Sequence, residues 1–404
     1  MRIIVVNDHG AVTGGAAQVA IASLNALADA GLDVTFVSSV EPIDKSIDTQ
    51  KVRVENFGFD DLLGNPSRLK AATHGIWDFR CANRFGLVLD EYSPNDTVIH
   101  LHTWVKSLSS SVIYEALRRK FKVVVTLHDY FSVCPNGGFY NYVAQKNCLI
   151  TPMSVTCALT NCDSRSYSHK AWRLVRHLVQ NKIGGMPTNI ENFISVSDYS
   201  ENLLRPYLRP GTKFFRVRNP IDIARKLAPT ENQSNIFTFV GRLSSEKGAT
   251  LFAKAAHKAD VRAVFVGQGA EDEAVRKVNP DAELLGWNDR VGVISHIRAS
   301  RAIVFPSLLN ETQGLVVTEA AALGIPAIVS DGCAARDSVI DGETGLLFRT
   351  GDVDNLMEKI MLLKKDPSLA LRLGQAAYDK YWEDPSTLER HVQVLIKCYK
   401  EILA

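Results

Sequence analysis

The sequence has no apolar run that approaches the roughly 20 residues of a membrane-spanning helix, so we expect no transmembrane segment. A large basic excess is also missing, because 46 Lys and Arg residues stand against 44 Asp and Glu residues, a formal net charge of +2. This balance argues against a general nucleic-acid-binding protein, which would carry a strong positive charge. Hydrophobic residues make up 46% of the chain, which is too large a share for a disordered protein.

The amino terminus lacks the long apolar segment of a secretory signal peptide. Only four apolar residues, 3–6, separate Arg2 from the polar Asn7. The seven cysteines are an odd number and include no tight Cys-x-x-Cys pair. Both features favour a reducing compartment without structural disulfides. We therefore expect a cytoplasmic protein, with the inner face of the membrane as a more specific location.

Short runs rich in Val, Ile and Phe alternate with longer amphipathic segments. The runs predict strands at 2–7, 33–38, 96–101, 121–127 and 192–197, and again at 236–240, 261–266, 302–305 and 326–330. Because most of these runs are continuously apolar, the strands should be parallel and covered by helices on both faces. The pattern predicts the α/β class with doubly wound sheets.

The alternation of strands and helices begins again after a polar, irregular stretch at 219–234. This stretch predicts a linker between two similar domains, at 1–222 and 234–384. Residues 385–404 follow the second domain and have the apolar spacing of an amphipathic terminal helix.

A glycine-rich loop follows the first predicted strand. Gly14 and Gly15 precede a helix of small residues that starts at Ala16. Glycines let a ligand approach the backbone, and the start of a helix directs free N–H groups at an anion. The spacing is not that of the Gly-x-Gly-x-x-Gly dinucleotide fingerprint, and a tight strand–helix turn is the alternative interpretation.

Two cations follow the first strand of the second half. Arg242 comes directly after Gly241, and Lys247 lies five residues further on. Both should lie at the carboxyl end of a parallel strand, where doubly wound folds bind ligands, and both suit phosphate oxygens. A solvated basic loop is the alternative.

Two glutamates flank a predicted helix start in the segment 306–320. Glu311 precedes Gly314, and Glu319 lies in the first turns of the helix. The N–H groups of Leu315 and Val316 should face an anion there. Two acids beside an anion site suit hydrogen bonds from sugar hydroxyls. The alternative is a surface acid at Glu311 and a helix-dipole interaction at Glu319.

Six segments together resemble the family 4 glycosyltransferases, which are retaining enzymes with the GT-B fold. In chain order they are GGAAQVA (14–20), LHDY (127–130), GRLSSEKG (241–248), VGQG (266–269), PSLLNETQGLVVTEA (306–320) and DGETGLLF (341–348). The resemblance covers about residues 1–400. It implies two Rossmann-like domains that face each other across a cleft, with the helix at 385–404 crossing back onto the first domain.

The resemblance also implies roles for individual residues. Arg242 and Lys247 would hold the diphosphate of the donor, together with the Leu315 and Val316 amides, and Glu319 would accept hydrogen bonds from ribose hydroxyls. Glu311 and His128 would lie on opposite sides of the donor sugar, and the catalytic set is Glu311, His128, Arg242 and Lys247. The donor-binding set is Gly14, Gly15, Gly241, Arg242, Lys247, Gln313, Gly314, Leu315, Val316 and Glu319.

The activity implied is transfer of a sugar from a UDP- or GDP-sugar to a glycan or a polyprenyl-linked glycan, in cell-surface polysaccharide biosynthesis. Two cations and the helix-start amides would stabilise the leaving diphosphate, so no cofactor is required for catalysis. The near-neutral net charge argues against a nucleic-acid partner. The alternatives are a nucleotide-sugar epimerase of the same architecture and a non-catalytic nucleotide-sugar-binding scaffold. Cys333 and Asp337 replace the family's usual double glycine and glutamate, and Gln313 replaces Phe or Glu, so the donor sugar stays open.

Four cysteines lie in an irregular stretch after His128: Cys134, Cys148, Cys157 and Cys162. Four thiols are enough for a tetrahedral structural zinc, and buried cysteines without metal are the alternative.

A local excess of basic residues surrounds this stretch, since residues 101–182 hold eleven Lys and Arg against three acids. The segment 166–182 predicts an amphipathic helix with an apolar face of Trp172, Val175, Leu178 and Val179 and a cationic face of Lys170, Arg173, Arg176, His177 and Lys182. Such a helix can lie on an anionic membrane, which would suit a lipid-linked acceptor. An ordinary packed helix with a solvated cationic face is the alternative.

Overall fold

The computed structural model describes residues 1–226, 228–229 and 234–404. The first half contains β1 (Arg2–His9), α1 (Gly15–Asp29), β2 (Asp33–Val40), β3 (Val52–Asn56), α2 (Arg68–Ile76), α3 (Phe79–Leu89), β4 (Thr97–Leu101), α4 (Ser111–Arg118), β5 (Lys122–Thr126), β6 (Tyr140–Asn141), β7 (Lys146–Asn147), α5 (Val155–Leu159), α6 (Tyr167–Lys182), β8 (Asn192–Ser195), α7 (Asp198–Leu204) and β9 (Lys213–Arg216).

The second half repeats the alternation of strands and helices. It contains β10 (Ile236–Val240), α8 (Ala249–Ala259), β11 (Arg262–Val266), α9 (Asp272–Val278), β12 (Glu283–Leu284), α10 (Arg290–Arg298), β13 (Ala302–Phe305), α11 (Leu315–Ala322), β14 (Ala327–Ser330), β15 (Gly345–Phe348), α12 (Val353–Lys365), α13 (Pro367–Glu383) and α14 (Leu388–Leu403).

The strands form two parallel sheets and one small hairpin. The first sheet has the order β3-β2-β1-β4-β5-β8-β9, and the second has the order β12-β11-β10-β13-β14-β15. Strands β6 and β7 pair with each other in an antiparallel hairpin. All nine predicted strands are present, and the prediction of two doubly wound α/β sheets is confirmed.

Strand β1 shows why a continuously apolar run becomes a central strand. Ile4 and Val6 lie in the core on one face of the sheet, whereas Ile3 and Val5 lie in the core on the other face. All four side chains have no solvent exposure. Because successive side chains point to opposite faces, only an unbroken apolar run satisfies both cores.

The terminal helix α14 packs against α1 and β4 of the first domain. His391 Nε2 lies 2.8 Å from Ser23 Oγ, and Tyr399 Oη lies 2.6 Å from His100 Nδ1. The predicted return of this helix to the first domain is therefore confirmed. The domain boundaries at 222 and 234 stay predictions, and residues 227 and 230–233 of the predicted linker lie outside the described residues.

Helix α6 has the predicted extent but not the predicted faces. Lys170, Arg176 and His177 are buried, whereas Val175 and Leu178 are 50% and 49% exposed. The predicted cationic face is thus largely interior, and the prediction that it is solvated is wrong. These cations are buried because other parts of the first domain supply partners for them. Two thiols lie beside Lys170, and backbone carbonyls and aromatic rings lie beside Arg176. In the described part of the chain, none of the helices has the length and apolar character needed to cross a membrane.

Candidate active site between the two sheets

The loop after β13 contacts the loop after β5 and so joins the two domains. Tyr130 Oη donates a hydrogen bond to the Glu311 carbonyl at 3.3 Å, and Thr312 Oγ1 donates to the His128 carbonyl at 3.1 Å. Asn310 Nδ2 donates to the Phe139 carbonyl at 2.8 Å. These contacts bring the predicted residues of both halves to one cleft at the carboxyl ends of parallel strands, where doubly wound folds place their sites.

The glycine-rich loop of the first domain faces the start of α11. Gly14 is the residue before α1, and a Cβ atom placed on it would meet no described atom within 4 Å. A Cβ atom on Gly15 would lie 3.7 Å from Leu315 Cδ1, the first residue of α11. The loop of the first domain and the helix start of the second therefore lie side by side.

Helix α11 begins at Leu315 without a side-chain cap among the described residues. Only glycine fits at position 314, because the Cβ atom of any other residue would lie 2.6 Å from the Cβ atom of Ala335. The N–H groups of the first turn, which include those of Leu315 and Val316, have no acceptor within their own helix. This helix start can bind an anion.

Lys247 and Glu311 form an ion pair at the same edge. Lys247 Nζ lies 2.5 Å from Glu311 Oε1, and Ser307 Oγ donates to that oxygen at 2.8 Å. Both side chains are mostly shielded, with 25% and 12% exposure. The backbone before α8 is tight, because Gly248 has a φ of +74° and a Cβ atom there would lie 2.1 Å from the Pro306 carbonyl oxygen. Lys247 is consequently held against the loop that carries Glu311.

The other predicted donor residues have different partners. Arg242 is 67% exposed and donates through Nη2 to Glu246 Oε1 at 3.1 Å, and the N–H of Gly241 donates to the Val266 carbonyl at 3.0 Å. Gln313 Oε1 accepts from Asn219 Nδ2 at 2.6 Å. Arg242 thus extends a long, exposed side chain from the loop surface, whereas Gln313 is held in place by a hydrogen bond from the first domain.

Glu319 is buried and paired with a residue that the sequence analysis missed. Arg290 Nη1 donates to Glu319 Oε1 at 2.8 Å, and Arg290 Nη2 donates to the Asp222 carbonyl at 3.0 Å. Burial raises the pKa of Glu319, and Arg290 opposes that rise. Nothing in the sequence around Arg290, the first residue of α10, indicated this contact.

His128 stacks on a second histidine, His102. His128 Nε2 lies 2.8 Å from His102 Nδ1, and the ring centroids are 5.1 Å apart. Burial lowers the pKa of His128 to about 3, so its ring is neutral at pH 7. His102 was not predicted from the sequence, although it lies two residues after His100 of β4, a spacing that places both rings on one face of the sheet.

Asp129, next to His128, has an unusual titration. Its carboxylate accepts a hydrogen bond from the N–H of Phe131 at 3.0 Å, and burial raises its pKa from 3.8 to about 6. A raised carboxyl pKa means that the protonated form favours the folded state. Its stabilising contribution is complete below about pH 3.8 and is lost as the pH rises through about 6.

Replacing Asp129 with Asn should therefore raise the melting temperature at pH 7.5 and change it little at pH 4. The expected gain in unfolding free energy at pH 7.5 is on the order of 2 kcal/mol. Thermal unfolding at both pH values measures it, with the exposed Asp281→Asn as a matched control. An equal gain at both pH values would contradict this explanation.

Two of the four predicted zinc ligands lie beside a lysine. Cys157 Sγ and Cys162 Sγ lie 3.4 and 3.3 Å from Lys170 Nζ, so an ammonium group occupies the place between these two thiols. Among the residues that the structure describes, no group of three or more His, Cys, Asp or Glu side chains is placed to hold a metal. The four-thiolate zinc site stays a prediction. Elemental analysis of the purified protein tests that prediction directly.

The loop 331–337, which differs from the family pattern, also bridges the domains. Tyr199 donates through its N–H to Asp337 Oδ2 at 3.0 Å and through its hydroxyl to the Gly332 carbonyl at 2.9 Å. Cys333 is fully buried and donates to the Ser330 carbonyl at 3.5 Å. Asp337 therefore takes part in the contact between the two domains, whereas Cys333 is held within the second domain.

Two family models match the chain. The model described as Glycosyltransferase Family 4 matches residues 13–225, and the model described as Glycosyl transferases group 1 matches residues 221–380. An uncharacterized glycosyltransferase of Methanocaldococcus jannaschii is 28% identical over 220 residues, which cover 53% of this chain and 61% of that relative. The chain thus matches less than two thirds of that protein.

Solved structures share the whole fold at low identity. Sucrose-phosphate synthase from Thermosynechococcus elongatus has a TM-score of 0.73 and 18% identity, over 99% of this chain and 98% of that chain. HepE from Anabaena, solved in complex with UDP and glucose, has a TM-score of 0.67 and 16% identity, over 99% of this chain and 100% of that chain. This likeness supports the GT-B arrangement of two Rossmann-like domains.

Proposed function

Because this chain belongs to glycosyltransferase family 4, we propose that it transfers a sugar, with retention, from a UDP- or GDP-sugar to a glycan or lipid-linked glycan. One observation carries the proposal: Lys247 and Glu311 form an ion pair in the loops after β10 and β13, and the uncapped start of α11 lies against Gly15 of the other domain. The complex of HepE with UDP and glucose supports a nucleotide-sugar donor, since that protein shares the fold. The family models favour transfer over the epimerase and scaffold alternatives.

In the proposed reaction, the bond between the anomeric carbon and the diphosphate oxygen breaks while the acceptor oxygen bonds to that carbon on the same face. The leaving phosphate takes the proton of the acceptor hydroxyl. Negative charge accumulates on the diphosphate, where Lys247, Arg242 and the N–H groups of Leu315 and Val316 would stabilise it. These groups are supplied by the chain itself, so this part of the reaction needs no cofactor.

The donor sugar would lie between Glu311 and His128. The Glu311 carboxylate is fixed by Lys247 and Ser307, and the His128 ring is fixed by His102. Fixed polar groups lose little freedom when a transition state forms, which is the basis of electrostatic preorganisation. The domain contacts at Tyr130 and Thr312 would keep water from the reacting carbon.

We further propose a cytoplasmic location with contact to an anionic membrane, in cell-surface polysaccharide biosynthesis. Helix α6 supports this because Val175 and Leu178 are half exposed and Lys182 ends the same helix. An exposed apolar stripe that ends at an exposed lysine suits an anionic lipid surface. Flotation with anionic liposomes tests the contact, and protein that stays at the bottom of the gradient would contradict it.

The donor base can be identified by thermal shift. Ligand that binds only the folded state raises the melting temperature, so either UDP or GDP should raise it at concentrations well above its dissociation constant. ADP, CDP and free phosphate serve as controls for the base and for simple anion binding. If neither UDP nor GDP shifts the transition more than free phosphate does, the proposed donor class is wrong.

A further inference from the structure

A second cavity, of about 460 Å³, lies in the first domain between α2 and α6. Five basic side chains line it, against the single acid Asp61: Arg68, Lys106, Arg165, Arg173 and Arg176. We name these five residues and the space between them the cationic cavity. The donor residues of the second domain take no part in its lining, so the cavity is separate from the diphosphate site.

Most of these cations lack a carboxylate partner. In the described ranges of the chain, Arg68, Lys106, Arg165 and Arg176 form no ion pair within 4 Å, whereas Arg173 pairs with Asp163 at 2.7 Å. The acid of the lining, Asp61, accepts the N–H of Leu63 at 2.9 Å and lies 3.7 Å from His9 Nε2, so its side chain is oriented by groups outside the five cations. Asp8, Asp129 and Asp163 lie near Arg176 and offset part of the positive charge. The cavity keeps an excess of cations at Arg68 and Arg165, which an anionic ligand would neutralise.

Arg176 gives the cavity a buried anchor. Its side chain is 7% exposed, and its guanidinium lies 5.1 Å from the ring centres of both Phe131 and Trp172. Its hydrogen bonds to the carbonyls of Val105 and Pro135 are long, at 3.4 and 3.5 Å. A guanidinium held between aromatic faces presents a planar set of donors, which suits phosphate or carboxylate oxygens.

The cationic cavity opens at the same edge of the sheet as the proposed donor sugar. Lys106 follows β4 and donates its N–H to Asp8 Oδ2 at 3.0 Å, and Asp8 lies near the end of β1, just before the glycine-rich loop. Phe131 follows β5, three residues after His128. The loops that line the cavity are therefore continuous with those that carry Gly14 and His128.

Building on the proposed function, we propose that the acceptor carries an anionic group, a phosphate or a carboxylate, and that this group binds in the cationic cavity. The acceptor hydroxyl would then extend along the sheet edge towards His128. A sugar phosphate and a phosphate-linked lipid share this chemistry, so the test includes both.

Calorimetry at low salt tests the proposal on the whole chain saturated with UDP and GDP, which removes binding at the donor site. The probes are glucose 1-phosphate, glucuronate and decyl phosphate, with methyl glucoside and decyl glucoside as uncharged counterparts. At least one anionic probe should bind, and the uncharged counterparts should not. Preference for decyl phosphate indicates a lipid-linked acceptor, and preference for glucose 1-phosphate or glucuronate indicates a water-soluble one.

The double variant Arg68→Gln/Arg165→Gln removes two exposed cations of the cavity and should weaken anion binding by about tenfold or more. Lys120→Gln/Lys122→Gln, with both lysines exposed at the opposite edge of the sheet, is the charge-matched control and should bind as the wild type does. Equal weakening by both pairs, no weakening by the cavity pair, or no binding of any anionic probe would overturn the proposal.

The nucleotide response separates this proposal from the proposed function. If UDP or GDP stabilises the wild type and both double variants equally, a failure of anion binding concerns the cationic cavity alone. If neither nucleotide stabilises the wild type, the donor proposal fails and the acceptor role of the cavity fails with it.

Discussion

Replacing Lys247 with Met should lower kcat for sugar transfer by about 10²–10³-fold. The loss is expected because Lys247 would place its ammonium on the diphosphate as that group leaves with added negative charge. The Lys247 side chain is mostly shielded from water, and an ammonium group interacts more strongly with a phosphate where less water lies between them. Steady-state kinetics with the donor identified by thermal shift measures the change.

Lys258→Met is the matched control for this substitution. Lys258 lies on α8 of the same domain and also pairs with an acid, Asp354, but it is 52% exposed and lies outside the cleft contacts described above. It should leave kcat within about twofold of the wild type, as expected for an exposed ion pair. Equal kcat values for Lys247→Met and the wild type would show that Lys247 takes no part in the reaction.

Replacing Glu311 with Gln should reduce kcat by a similar factor, about 10²–10³, with little change in nucleoside-diphosphate affinity. Glutamine has the size of glutamate and can still accept hydrogen bonds from Lys247 and Ser307, so the loop should keep its position. What it removes is the negative charge beside the donor sugar, where positive charge develops in an oxocarbenium-like transition state.

Two measurements distinguish this role from a structural one. Calorimetry with the nucleoside diphosphate should give the same dissociation constant for Glu311→Gln and the wild type, while single-turnover transfer slows. The exposed Glu343→Gln serves as the control variant and should change neither quantity. A variant at Glu311 that turns over normally, or that loses nucleotide binding in proportion to its rate, would contradict the assignment.

The central strands could be predicted from the sequence because burial on both faces requires a continuous run of apolar residues. Residues 236–240 are one such run, and β10 pairs with parallel neighbours on both sides. The edge strands β3 and β9 were missed because each has a partner on one side only and contains charged residues such as Arg53 and Lys213. A partly polar edge strand resembles a loop when only apolar runs are counted.

Side-chain partners that are distant in sequence were the least predictable part of the site. The position of Glu319 at a helix start was expected, but its pairing with Arg290 depends on how α10 packs against α11. The faces of α6 were predicted wrongly for the same reason, since Lys170 is buried where Cys157 of α5 and Cys162 of the following loop lie against it. Helical periodicity identifies two faces, and tertiary contacts decide which one is interior.

The position of the diphosphate is the most direct test of the proposed reaction, and a crystal structure with bound UDP or GDP would measure it. We predict phosphate oxygens within hydrogen-bonding distance of Lys247 Nζ and of the N–H groups of Leu315 and Val316, with Gly14 and Gly15 alongside. A diphosphate bound away from the start of α11, with Lys247 still paired only to Glu311, would contradict the account.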